Sequence, residues 1–268
     1  MNSERLPRLD ELGDDLTRTT AWQRWQPFPM PYLYAAGFIA AWDWHLVWLC
    51  PLFLVLVFSA CSTSAHDVLH GSLGISRRAT EWALFLLGAP ILESGHAYRL
   101  THLQHHKMFP SDEDIEGQAA HMPMWQVLIS GPAFLPRLWL WAFQKSARMR
   151  AQRRWLLIEL LLPVEAIALG LALLRWESGL LAYGVAVLIS SWFYPLFAVH
   201  LPHLGFGERR VNQAWTLRGR LIPRLFRPLA FHLEHHLYPA VPSHNLPVLA
   251  QRLELYLGEQ AIRLIHVP

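Results

Sequence analysis

Residues 155–202 read WLLIELLLPVEAIALGLALLRWESGLLAYGVAVLISSWFYPLFAVHLP. A hydrocarbon core of about 30 Å is crossed by about 20 helical residues. The runs 155–174 and 180–202 each have that length, with Glu159 and Glu165 as their only charges, and Arg175–Gly179 separates them. The stretch therefore predicts two transmembrane helices joined by a short turn. Working outward, residues 31–65 form a second apolar region, interrupted only by Asp43 and His45. It reads as two short spans with a wet turn at Asp43-Trp44-His45. The expected architecture is an all-α integral membrane protein of one domain, residues 1–268. Its four transmembrane helices, at about 31–47, 48–66, 155–174 and 180–201, pair as two hairpins.

Composition agrees with a membrane chain. Hydrophobic residues make up 53% of the sequence and charged residues 16%, against about a quarter charged in soluble domains. Between the hairpins, residues 82–92 (WALFLLGAPIL) are too few to cross, and residues 125–143 are broken by Pro132, Pro136 and Arg137. Both read as segments lying at the interface, where Trp and Arg anchor well; a fifth crossing at 125–143 stays open. All of the 23 Lys and Arg except Arg175 fall in residues 1–31, 71–154 and 203–268. By the positive-inside rule these three polar segments share the cytoplasmic side. The first 26 residues lack a secretory-signal core, so an uncleaved cytoplasmic amino terminus is expected. The basic residues do not interleave with aromatics on a polar face, which argues against nucleic acid as a partner.

Cys50 and Cys61 are too few for a disulfide framework or a thiolate zinc site. Histidine is the abundant ligand type, at 15 residues. Three clusters share one design: HDVLH (His66, His70), HLQHH (His102, His105, His106) and HLEHH (His232, His235, His236). On a helix, residues three and four apart lie on one face, so each cluster offers imidazoles to a common point. The charge-derived topology puts all three on the cytoplasmic side, where residues 67–154 and 203–268 form a histidine-rich helical cap. His203, or alternatively His200, supplies a ninth imidazole where the last span ends. So many ring nitrogens exceed the positions of one ion and point to two metals. The donor set suits iron, zinc, copper or nickel.

Asp67 and Glu234, inside the clusters, read either as carboxylates holding the second ring nitrogen of a ligand histidine or as solvated acids. The run SDEDIEG, Ser111–Gly117, reads as a solvated loop or as an outer-shell or partner-docking segment. His96 is a candidate for the edge of the site; His45, His121, His244 and His266 read as surface residues.

HDVLHGS, HLQHHKMFPSDED and FHLEHHLYPAVPSHNLP resemble the three histidine boxes of the membrane fatty acid desaturase superfamily, which includes acyl desaturases and carotenoid hydroxylases and ketolases. The resemblance runs from about residue 60 to the carboxyl terminus. It implies four transmembrane helices in a cone under a cytoplasmic cap. It also implies a non-haem di-iron centre of two Fe, O2 as co-substrate and electrons from a separate donor, a ferredoxin or b-type cytochrome. Matched by position, the metal-binding and catalytic set is His66, His70, His102, His105, His106, His203, His232, His235 and His236. The expected substrate is a lipid, either an acyl chain or a carotenoid, in a bacterial inner membrane. LPH followed by a basic stretch resembles the carotenoid branch, whereas HLEHHLYPAVPSHNLP is shared with bacterial acyl desaturases. The chain departs from the family's pattern in having no fused haem-binding domain and in placing Ile115 where a proline often ends the aspartates. Acyl-chain desaturation is the leading expectation, with carotenoid hydroxylation or ketolation as the alternative. A non-catalytic membrane metal-binding protein is the reading from another class, but a carrier requires ionisable residues along its spans, and these spans hold few.

Overall fold

A computed structural model describes residues 6–257 and 262–267. Residues 1–5 of the expected cytoplasmic terminus, and 258–261 and 268 of the expected cap, lie outside the described residues. The chain is mostly helical. The apolar part is built from α1 (Met30–Asp43) and α2 (Cys50–Leu69), followed later by α6 (Arg150–Glu159), α7 (Leu162–Leu173) and α8 (Gly179–Ser191). Between them lie α3 (Arg77–Gly88), α4 (Gly95–Met108) and α5 (Met124–Lys145). The cap is completed by α9 (His232–Leu237) and α10 (Leu246–Leu257).

Among the described residues, two helical runs are long and apolar enough to cross a membrane: Val47–Leu69 and Arg150–Leu173, the second made of α6 and α7. A third is obtained if α8 and the continuing turn Pro195–His203, bent by 41°, count as one span. The first expected span is shorter than read from sequence. α1 holds 14 residues, about 21 Å at 1.5 Å per residue. It is bounded by Pro29 at its start and by His45, whose φ of 59° leaves the helical region, just past its end. α5 differs in the opposite sense: Pro132 and Pro136 do not break it, and it runs unbroken for 22 residues.

α1 lies against α2 and α8 through Phe38, Ala41, Val57, Cys61, Tyr183 and Val187. The two short turns expected from sequence meet at one end of this bundle. Asp43 Oδ1 accepts from the backbone N–H of Gly179 at 2.9 Å, capping α8, and Trp42 Nε1 donates to Ser178 Oγ at 3.0 Å. Because α2 and α8 both start at this end, His66 at the end of α2 and His203 in the turn after α8 lie toward the other. Leu33, Leu52, Val164, Leu169 and Leu171 face outward, more than half exposed, with Trp44, Trp48 and Trp176 around the turns. Leucine and valine toward hydrocarbon and tryptophan at its boundary is the surface a bilayer favours.

At the histidine end, the amino-terminal segment closes over the carboxyl-terminal one. Leu12 and Leu16 pack with Leu233, Leu237, Leu246, Leu249 and Leu253, and Tyr238 Oη donates to the Pro7 carbonyl at 2.7 Å. The cap is not wholly α: β1 (Thr216–Arg218) pairs in parallel with β2 (Leu264–His266), Thr216 opposite Leu264. This short ladder gives the backbone groups of two extended segments partners that no helix supplies there.

Candidate metal centre

Four pieces of chain deliver the histidines. His66 lies in the last turn of α2 and His70 caps it; His102, His105 and His106 lie on α4. His203 ends the turn that follows α8, and α9 carries His232, His235 and His236. The second piece is set by a close helix contact. Gly95 begins α4 with its Cα against the backbone carbonyl of Leu84 in α3, where a Cβ would collide.

The nine predicted histidines fall into two sets. His66, His70, His102, His106 and His235 form one; His105, His203, His232 and His236 form the other. Within each set one ring nitrogen per residue lies within 4.8 Å of all the rest. Each HxxHH cluster therefore divides its adjacent pair between the sets, because consecutive helical residues project about 100° apart. His200 belongs to neither set. Its Nδ1 donates to the Ala119 carbonyl at 3.0 Å.

The nitrogen contacts are short: His66 to His235 at 2.9 Å, His235 to His106 at 2.8 Å, His203 to His105 at 3.2 Å and to His232 at 3.0 Å, all between Nε2 atoms. Three of these rings have their tautomer fixed by the other nitrogen. His105 Nδ1 donates to Asp114 Oδ2 at 2.6 Å, His203 Nδ1 to the Gln213 carbonyl at 2.7 Å, and His232 Nδ1 to the Pro228 carbonyl at 3.3 Å. A neutral imidazole carries one proton, so all three Nε2 atoms present bare lone pairs to one another. No hydrogen bond joins them, and such a contact is repulsive unless a cation sits among the nitrogens. In the other set, His70 Nε2 is buried with no hydrogen-bond partner. Burial pushes His70 down to about 2 and His232 to about 3, and drives His102, His235 and His236 well below the usual imidazole range. All five are thus neutral donors at physiological pH. The residues present fit two metal ions.

The outer partners are not Asp67 and Glu234 but lie in the acidic run Ser111–Gly117, in line with the outer-shell alternative for that run. Asp67 Oδ1 accepts from the backbone N–H and hydroxyl of Ser243, at 2.9 and 2.6 Å, and lies 3.9 Å from His66 Nδ1, beyond hydrogen-bond reach. Glu234 accepts from Thr216 Oγ1 and Arg218 Nη2 and bonds no histidine. Neither is a solvated acid, for both are buried. The acidic run after the second cluster supplies the carboxylates instead. Asp114 holds His105, and Glu116 accepts from His102 Nδ1 at 3.1 Å. Burial pushes the Glu116 carboxyl up to about 7. The available signal was position: SDEDIEG follows HLQHH closely enough to fold back on it.

His96 stands outside both sets. Fully buried, it bridges Glu159 at 2.7 Å and Glu81 at 3.0 Å and stacks on Trp155, with Arg99 joining Glu81 and Gln152. This network ties α3, α4 and α6 together. His45, His121 and His266 are exposed as expected, His121 with its ring against Phe206; His244 is partly buried, near the Arg18 carbonyl.

Beside the first set lies a cavity of about 240 Å³ between α4, α5, α7 and α8. Tyr98, Thr101 and Tyr194 form its inner wall; the Tyr98 ring touches that of His102, and Tyr194 Oη donates to Glu116 at 3.3 Å. Leu160 and Trp192, nearly half exposed on the outward surface, form its rim.

Comparison with known proteins agrees with this geometry. A Delta(8)-fatty-acid desaturase of Euglena gracilis is 30% identical over 77 residues, 27% of this chain. The match spans 18% of that protein's length. The sequence model of the fatty acid desaturase family matches residues 42–268, a segment that holds every histidine of both sets. With helices apolar enough to cross a membrane and two largely buried imidazole sets at one end of them, the chain belongs to the fatty acid desaturase family.

Proposed function

We propose that this chain is an O2-dependent lipid oxidase that desaturates an acyl chain at a centre of two iron ions. The opposed lone pairs of His105, His203 and His232 carry the reading, since the nitrogens need a cation between them. In this proposal His66, His70, His102, His106 and His235 hold one iron, and His105, His203, His232 and His236 the other. Reduced iron supplies the redox chemistry by which O2 oxidises an unactivated C–H bond, and a separate donor, a ferredoxin or b-type cytochrome, supplies the electrons.

The chain's own residues set the conditions. Asp114 and Glu116 fix two ring tautomers so that each Nε2 faces its ion. The buried walls keep water from the site, and the cavity beside His102 admits an apolar chain from the bilayer. Four crossings in two hairpins, with the histidine cap and both termini cytoplasmic in a bacterial inner membrane, complete the proposal. It is supported by the contact between the two short turns at the far end.

Purified protein tests the metal: two irons per chain are expected, and loss of iron with loss of activity in His105→Ala or His235→Ala. Normal activity in either variant overturns the assignment. Expression in hosts supplied with carotenoids or with ordinary phospholipids tests the substrate by mass analysis. Loss of two hydrogens from an acyl chain supports desaturation, whereas gain of oxygen on a carotenoid assigns the chain to carotenoid hydroxylation or ketolation instead.

A further inference from the structure

The cavity beside the first histidine set is not uniformly apolar, and its polar groups differ in what they have left to offer. Glu159 already accepts from Ser94 Oγ at 2.5 Å and His96 Nδ1 at 2.7 Å. Ser94 Oγ in turn accepts from the backbone N–H of Ala97, so its bonding is taken up. Thr101 donates to backbone carbonyls, Tyr194 to Glu116, and Trp139 Nε1 to the Leu156 carbonyl. Glu93 stands apart: its Oε1 is buried without a hydrogen-bond partner.

The backbone places it there. Leu92, which also lines the cavity, has a φ of 57°, left-handed for a residue with a branched side chain. That turn lies between the end of α3 and the start of α4, and it sets Glu93 on the cavity wall. A residue held in this region is kept by its surroundings against its own preference. Burial pushes the carboxyl up to about 8, so at neutral pH the group is largely a carboxylic acid with both a donor and an acceptor. A plain hydrocarbon beside it leaves both unmade, and a buried unmade hydrogen bond is costly.

We infer that this cavity takes a lipid that already carries an oxygen function, a hydroxyl or carbonyl, along its apolar part, and that Glu93 selects this substrate by hydrogen-bonding that oxygen. The inference rests on the lipid-oxidase reading and narrows its substrate class. A site built to bond such an oxygen discriminates strongly against the analogue that lacks it. By the same chemistry, the substrate must come from an earlier oxygenation or hydration of a lipid.

Equilibrium binding on the full chain in lipid nanodiscs tests this without turnover. The probes are octadecanoic acid and its mono-hydroxy and mono-oxo derivatives, with the oxygen at successive carbons, each displacing tritiated octadecanoic acid. At least one positional isomer is expected to bind about tenfold more tightly than octadecanoic acid itself. That advantage should survive Glu93→Gln and fall to within about twofold in Glu93→Leu. The hydroxy and oxo arms tell which function is taken. If octadecanoic acid binds and no isomer exceeds it, or if Glu93→Leu keeps the preference, the inference is overturned and the lipid-oxidase reading stands. If no probe binds, both fall. Should Glu93→Leu not fold, Glu93→Asp decides: its shorter reach should weaken the preferred isomer or move the preferred carbon, and an unchanged profile overturns the inference.

Discussion

Asp114 accepts a hydrogen bond from His105 Nδ1 at 2.6 Å, and both side chains are buried. The bond fixes which nitrogen of His105 is bare. Asp114→Asn keeps the size of the group but loses its charge, and its amide offers a donor as readily as an acceptor. Affinity for iron is expected to fall roughly 10- to 100-fold. Titration of metal-depleted protein measures this, and unchanged affinity would show that Asp114 plays no part in orienting the ring.

The division into a set of five and a set of four predicts unequal response to metal removal. Chelation of the native protein should release iron in two phases, one per set. His235→Ala should weaken one phase and His236→Ala the other, although the two residues are adjacent. A single phase altered equally by both variants contradicts two separate sites.

Glu93 makes stability depend on pH. Its carboxyl, raised by burial from 4.5 to about 8, keeps a proton in the folded chain that the unfolded chain has released. Folding thus takes up a proton between those values. The stabilising contribution is complete below pH 4.5 and is lost as pH rises through about 8. The unfolding midpoint should decline across that window more steeply in the native protein than in Glu93→Gln, and equal slopes would refute the assignment.

Gly95 is expected to tolerate no side chain. In Gly95→Ala the new methyl meets the Leu84 carbonyl of α3, a backbone atom that cannot rotate away. Overpacking of this kind costs about 1–3 kcal/mol. Denaturation in detergent should show the loss, and iron content should fall with it, because α4 carries three of the nine histidines of the two sets.

The histidine sets were legible because a metal site repeats one residue type at helical spacing. Their outer partners were legible only as one of several readings of Ser111–Gly117. Asp67 and Glu234 are next to histidines in sequence, but a helix turns about 100° per residue, so neighbours in the chain point to different surroundings. Asp114 reaches His105 because a loop folds back, and spacing along a helix says nothing of that. Likewise Pro132 and Pro136 suggested a broken segment, yet α5 continues, its Gly131 seated against the Trp192 backbone. Close tertiary contact there overrides the local preference of proline. The contact of Asp43 with Gly179 was hidden for a related reason: it joins turns more than a hundred residues apart.

The turn Pro195–His200, which follows the 41° bend after α8, is wound as a π-helix. A π turn holds one residue more than an α turn, and each residue advances the helical phase by about 100°. Winding, more than spacing, thereby brings His203 to His105 and His232 while His200 is left against the Ala119 carbonyl. Deleting any one residue between Leu196 and Val199 would rewind the turn and swing His203 out of phase, so that a chain retaining all nine histidines would present only eight.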